Sequence, residues 1–172
     1  YPFYLCSYPI PIEGQSDLLP DVMAVQGKGT ITTVREFFPK LEVIVIPSLR
    51  SHHVWECDLE TKIKNLANVV NVLVTLPISL KTSSGIVERV LEASKLVDCK
   101  GKNIVYTIKA HPTQTPKDIK ANLNVELSDS FIFTNEKFLP PLLHHSELLI
   151  SEASSTCLEA MACGIPVIVV EN

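Results

Sequence analysis

Long hydrophobic runs, paired cysteines and any surplus of basic residues are all missing from this 172-residue chain. The longest apolar runs, 69–76 interrupted by Asn71 and 165–170, fall far short of the roughly 20 residues that span a bilayer. No transmembrane helix is therefore expected. The five cysteines, Cys6, Cys57, Cys99, Cys157 and Cys163, are scattered and form no C-x-x-C pair. That excludes the common zinc and thiol-redox spacings and suits a reducing cytosol. Net charge is −4 and no basic run exceeds two residues, so the footprint needed to hold a nucleic-acid backbone is absent.

Familiar motifs are missing too. No G-x-S-x-G or G-x-G-x-x-G follows a β-branched run, which removes the hydrolase elbow and the dinucleotide loop. Gly27-Lys28-Gly29-Thr30 fails as a P-loop, because Val22 stands at the leading glycine position and Gly29 where Ser or Thr follows the lysine. The pairs His52-His53 and His144-His145 are adjacent, whereas metal ligands on one helical face lie about three or four residues apart. No metal site is expected. The chain opens Tyr1-Pro2-Phe3-Tyr4 and stops two residues after an apolar run; both ends are expected to be cuts in a longer protein.

What is present is a fold pattern. Hydrophobic residues make up 46% of the chain and charged ones 20%, so it should fold, and 172 residues are enough for one well-packed core but too few for two full Rossmann-like domains. Short β-branched runs at Val22–Gln26, Glu42–Ile46, 71–76, Asn103–Lys109, 131–134, 147–150 and 166–170 alternate with helix-like stretches at 30–38, 84–97, 116–122 and 154–163. This predicts an α/β fold, a Rossmann-like parallel sheet with helices on both faces. Residues 1–50 differ, with five prolines before Glu42 and a polar turn at Gly14-Gln15-Ser16-Asp17. They read as the tail of a preceding domain and its connection, and 51–172 as a Rossmann-like domain truncated at its C-terminus, its pattern starting near Asn65; a single irregular domain also fits.

The stretch 148–169 reads strand, loop, helix, strand. Ser154 or Ser155 is suited to N-cap the helix, and Thr156 with Glu159 has the spacing of a capping box. A helix start with three successive hydroxyls and free N–H groups at a parallel strand's C-terminal edge can hold phosphate. It also fits an ordinary capped helix. Glu159 can accept from a ribose diol or serve the cap. Gly164-Ile165-Pro166 ends the helix.

The run Ser154-Ser155-Thr156-Cys157-Leu158-Glu159-Ala160-Met161-Ala162-Cys163-Gly164-Ile165-Pro166-Val167-Ile168 resembles the nucleotide-sugar signature of GT-B glycosyltransferases, E-A-x-A-x-G-x-P-V-I after a hydroxyl-rich loop. With His111-Pro112 after a strand, the chain is similar to the CDP-glycerol transferase and CMP-sialic-acid-using branches that build surface polysaccharides. The resemblance covers roughly 65–172. It implies that 51–172 is a donor-binding, nucleotide-sugar domain, half of a GT-B fold. His111, on a loop fixed by Pro112, then contacts donor phosphate together with Ser154, Ser155 and Thr156; taken alone, the His-Pro pair fits a surface histidine with no role.

The loops carrying Pro77 and Ser79, and Asn135, Glu136 and Lys137, then border the donor, with main-chain groups of the second reading the base. Each also fits a plain connection. A cytidine-type donor, no cofactor, no metal and a cytoplasmic setting with room for peripheral association at the inner membrane face are implied. No D-x-D supports a metal-dependent GT-A enzyme. The catalytic base is expected from a missing acceptor-binding domain; Glu13, Asp17 and Asp21 are candidates only in principle, and the isolated chain is expected to be inactive. Two other readings remain open. A UDP-N-acetylglucosamine 2-epimerase shares the fold but places a glycine pair where this chain has Ser154-Ser155, and a non-catalytic GT-B-like domain would bind without turnover.

Overall fold

The computed structural model describes residues 14–16, 18–47, 54, 68–97 and 101–171. The chain divides into two compact units, Tyr1–His52 and His53–Asn172. Glu13, Asp17, His52, His53, Cys6, Cys57, Cys99 and the expected start near Asn65 lie outside the described residues.

In the first unit, strand β1 (Val22–Gln26), helix α1 (Gly29–Phe37) and strand β2 (Glu42–Ile46) form one βαβ turn of chain. The strands pair in parallel from Val22↔Glu42 to Gln26↔Ile46. Gly27 takes a φ of 86° between β1 and α1, a left-handed conformation that a side chain would strain. Val25, Val34, Phe38 and Leu41 form the core. Asp21 sits just before β1.

The second unit runs β3 (Val69–Thr75), α2 (Leu80–Ser94), β4 (Asn103–Lys109), α3 (Pro116–Ala121), β5 (Phe131–Phe133), α4 (Leu139–His144), β6 (Leu148–Ser151), α5 (Ser155–Ala162) and β7 (Val167–Val169). Its five strands are all parallel, in the order β5-β4-β3-β6-β7. Counted within the unit this is the Rossmann order 3-2-1-4-5.

The two-residue period of a strand explains why both faces are covered. Val72 and Val74 of β3 face Ile86, Val87, Val90 and Leu91 of α2 and Ile119 of α3. Leu73, between them, belongs with Leu149 of β6, Leu143 of α4 and Ala160 of α5. Buried on both sides, β3 reads as a nearly continuous apolar run.

Two boundaries and one additional helix correct the sequence reading. Helix α2 starts at Leu80, not at residue 84, because the Ser79 hydroxyl accepts from the Thr82 N–H at 3.3 Å and opens the helix a turn before its apolar stripe begins. It also ends sooner, at Ser94 rather than 97. Helix α4 has no expected counterpart: Pro140 and Pro141 disguise it, yet prolines fit a first turn whose N–H groups need no intrahelical acceptor.

Helix α3 carries a true capping box. Thr115 Oγ1 accepts from the Asp118 N–H at 3.2 Å, and Asp118 Oδ2 accepts from the Thr115 N–H at 3.0 Å and from its hydroxyl at 2.6 Å. The hydroxyl first, and the N–H second, favour the ionised carboxyl and hold it below the usual aspartate range. A depressed folded-state pKa stabilises above the unfolded value and is lost as pH falls through the folded one. Acidification should therefore release the α3 cap. NMR titration of the Asp118 carboxyl carbon checks this; a midpoint at or above the ordinary value of about 3.9 would contradict it.

Candidate functional site

The candidate site follows from strand register. Thr75, the last residue of β3, pairs with Lys109 of β4 on one side and with Ser151 of β6 on the other. Three strand ends thus stand in a row, the outer two about 10 Å apart. From β3 the chain moves one way to β4 and β5, then returns across to β6 and β7. The β3/β6 boundary is the switch point, where loops leaving the two strands diverge and open a crevice.

The crevice floor is hydroxylated. Thr75 and Ser151 are both buried, and Thr75 Oγ1 donates to Ser151 Oγ at 2.8 Å. Pairing hydroxyl with hydroxyl satisfies two groups that would otherwise be costly to bury. Ser151 Oγ also lies 3.3 Å from Ser154 Oγ, a hydroxyl pair in which either can donate. The line continues from Ser154 Oγ to Cys157 Sγ at 3.9 Å, and the Cys157 thiol donates to the Glu152 carbonyl at 3.5 Å.

Ser154 is the N-cap of α5, with extended φ −150° and ψ 167°, yet its hydroxyl makes no cap bond. It is turned back to Ser151 instead. The first-turn N–H groups at Ser155 and Thr156 are therefore left to whatever lies beyond the helix end. Ser155 is exposed and Thr156 half-buried. With Ser154 as N-cap, Thr156 and Glu159 do not form the box their spacing suggested; Cys157 occupies the third helical position, where a box acid belongs. Glu159 is half-buried one turn further on.

His111 leaves the end of β4 on a turn closed by the Gln114 N–H bonding to the His111 carbonyl at 2.9 Å. Pro112, exposed, takes the second turn position, which its fixed φ suits. The half-buried His111 ring meets Thr113 Oγ1 at 2.7 Å through Nδ1, which also accepts from the Thr113 N–H at 3.3 Å. An amide N–H can only donate, so Nδ1 presents its lone pair and the neutral ring carries its proton on Nε2. Nε2–H is then a donor.

Pro77 and Ser79 lie on the β3–α2 loop. The Pro77 carbonyl accepts from Ser83 Oγ at 3.0 Å, and the Ser79 hydroxyl is used in capping α2. Sequence reasoning missed the residue that binds this loop to the His111 loop: Gln114 Nε2 donates to the Ile78 carbonyl at 2.7 Å, while its Oε1, 3.1 Å from Ser83 Oγ, shares that hydroxyl's single proton with the Pro77 carbonyl. A glutamine after a His-Pro turn carries no local signal of this role.

Asn135 and Glu136, both exposed, follow β5. The Glu136 N–H donates to Thr134 Oγ1 at 3.0 Å, and Glu136 Oε1 accepts from the Phe138 N–H at 2.9 Å. Sequence reasoning also missed Lys109, whose ammonium donates to the Glu136 carbonyl at 2.8 Å and the Lys137 carbonyl at 3.1 Å. Partial burial lowers its pKa, against the opposing pull of the Glu136 charge.

The expected residues therefore share one edge of the sheet. Ser154 is bonded through Ser151 to the end of β3, the His111 and Ser79 loops are joined by Gln114, and the Asn135 loop is held to β4 by Lys109. The Asn135 loop lies farthest from α5, on the far side of β4.

Elsewhere, a groove of about 350 Å3 between α2 and strands β3, β4, β6 and β7 is lined by apolar residues such as Val70, Val97, Ile104 and Ile168, with Arg89 among them. Its lining offers little to a polar ligand. Among the described residues no three His, Cys, Asp or Glu side chains cluster as a metal site, and no helix is long and apolar enough to cross a membrane. No model of a known protein family matches the chain, and no curated protein matches it as a relative.

Proposed function

We propose that this chain is the donor-binding part of a metal-independent glycosyltransferase in cell-surface carbohydrate synthesis, holding a cytidine-type nucleotide sugar by its phosphate between His111 and the start of α5. One observation carries the reading: in a 3-2-1-4-5 sheet, the uncapped first turn of α5 and the Nε2–H of His111 emerge at the same edge beside the switch point.

The chemistry follows from where charge develops. As the bond from sugar to phosphate breaks, negative charge grows on the departing nucleotide, and preorganised donors stabilise it there more than in the ground state. The N-terminus of α5 contributes about half a positive charge, with the Ser155 and Thr156 N–H and hydroxyl groups as short-range donors. His111 Nε2–H supplies another. Glu159, a turn into the helix, would repel a phosphate on the helix axis, so it serves the ribose diol from the side. The base that deprotonates the acceptor comes from an acceptor-binding domain across the cleft.

Calorimetric titration with CMP tests the reading. Binding should be unchanged by EDTA, because helix and imidazole donors do the neutralising. A loss beyond about tenfold, or about 1.4 kcal/mol, would overturn the metal-independent mechanism. Absence of binding by CMP, UMP and GMP alike would overturn the proposal as a whole.

A further inference from the structure

We infer that Gln114 is a positioning residue: its side-chain amide ties the turn after β4 to the loop after β3, and so fixes where the His111 donor stands at the crevice. That His111 meets a phosphate rests on the functional reading above; how its turn is held does not.

The two loops need such a tie because their backbones cannot supply it. The ladder between β3 and β4 runs as far as the Leu76 N–H, which donates to the Lys109 carbonyl at 3.0 Å. Pro77 and Pro112 follow on the two chain segments, and neither has an N–H with which to extend the ladder. Gln114 takes over. Its main-chain N–H closes the turn on the His111 carbonyl at 2.9 Å, its Nε2 donates to the Ile78 carbonyl at 2.7 Å, and its Oε1 lies 3.1 Å from Ser83 Oγ. Ser83 is fully buried in the first turn of α2. Thr113, in the same turn as Gln114, holds the imidazole through Nδ1. A series of short contacts thus runs from the buried start of α2 to the ring.

Stability does not depend on this tie. Ser83 Oγ has a second acceptor in the Pro77 carbonyl at 3.0 Å, and the bond to the Ile78 carbonyl is exposed, so water can replace it. Removing the amide therefore leaves no buried polar group unpaired, which is the usual source of a large destabilisation. What is lost is the fixed placement of the turn. A donor that must first be brought into position binds its ligand more weakly than one already there.

Gln114→Met tests this role, since it keeps the length of the side chain and removes both polar atoms. Urea unfolding of the variant should match the wild type. Relaxation dispersion at the amides of His111, Thr113 and Gln114 should find the turn quiet in the wild type and, at the same positions in the variant, exchanging on the microsecond-to-millisecond scale. CMP affinity, measured by calorimetry, should fall about fivefold or more. In a His111→Ala background the same substitution should change affinity by less than about twofold, because nothing is left to position. An equal loss in both backgrounds would mean that Gln114 acts on the fold and not through His111, and overturns the inference. Unchanged CMP affinity in Gln114→Met, or a turn as quiet as in the wild type, overturns it too. A wild type that fails to bind CMP overturns the functional reading, and dispersion alone then decides whether Gln114 holds the turn.

Discussion

Replacing His111 with alanine is expected to weaken CMP binding by about tenfold or more, without changing the fold. A hydrogen bond to a charged group contributes about 1.5–3 kcal/mol, which corresponds to roughly 10- to 150-fold in affinity. The ring is already oriented for this: Nδ1 is held by Thr113, so the donor at Nε2 needs no reorganisation on binding. The double change of Ser155 and Thr156 to alanine should cost a similar factor, because it removes hydroxyls while leaving the helix N–H groups in place. Combining the changes should give less than the product of the separate losses if all three residues serve one phosphate, since groups sharing a partner are not additive. The measurement is titration of each variant with CMP. Full affinity in His111→Ala would remove the imidazole from the site, and strict additivity would place the two loops on different ligand groups.

The largest expected effect on stability comes from Leu149→Ala. Leu149 is fully buried in the middle of β6, paired with Leu73 on one side and Val167 on the other. It packs in the cluster with Leu143 of α4 and Ala160 of α5. Truncation loses transfer energy and leaves a cavity, about 2–5 kcal/mol for a buried leucine, against a total of about 5–15 kcal/mol for a domain. Leu158→Ala on α5 is the control: it is 66% exposed and should change stability by less than about 0.5 kcal/mol. Urea unfolding checks both. A Leu149→Ala cost below about 1 kcal/mol would mean that the sheet does not pack on α4 and α5 as described.

Much of the fold was legible because strand signals are local. Runs such as Val72, Leu73 and Val74, or Leu149 and Ile150, are apolar without interruption because both faces are covered, and the observed strands fall within two residues of the expected ones. Helix starts were less legible, since they depend on which hydroxyl turns inward. Ser79 caps α2 although the apolar stripe begins later, and Ser154 spends its hydroxyl on Ser151, so the Thr156 and Glu159 spacing forms no box. The contacts that tie the candidate site together were not legible at all. Lys109 reaches a carbonyl 27 residues on, and Gln114 one 36 residues back. Such pairs depend on strand order, which no local pattern carries.

The Thr75 to Ser151 bond also bears on how the chain is made. Its partners are 76 residues apart, while β3 meets β4 at less than half that separation. During synthesis from the N-terminus, β4 can pair with β3 and β5 with β4 while the other edge of β3, along 72–75, has no strand to pair with. An unpaired apolar edge is a template for other chains. The nascent protein must keep that edge from strangers until β6 emerges, and the crevice comes into being in the same step that closes it.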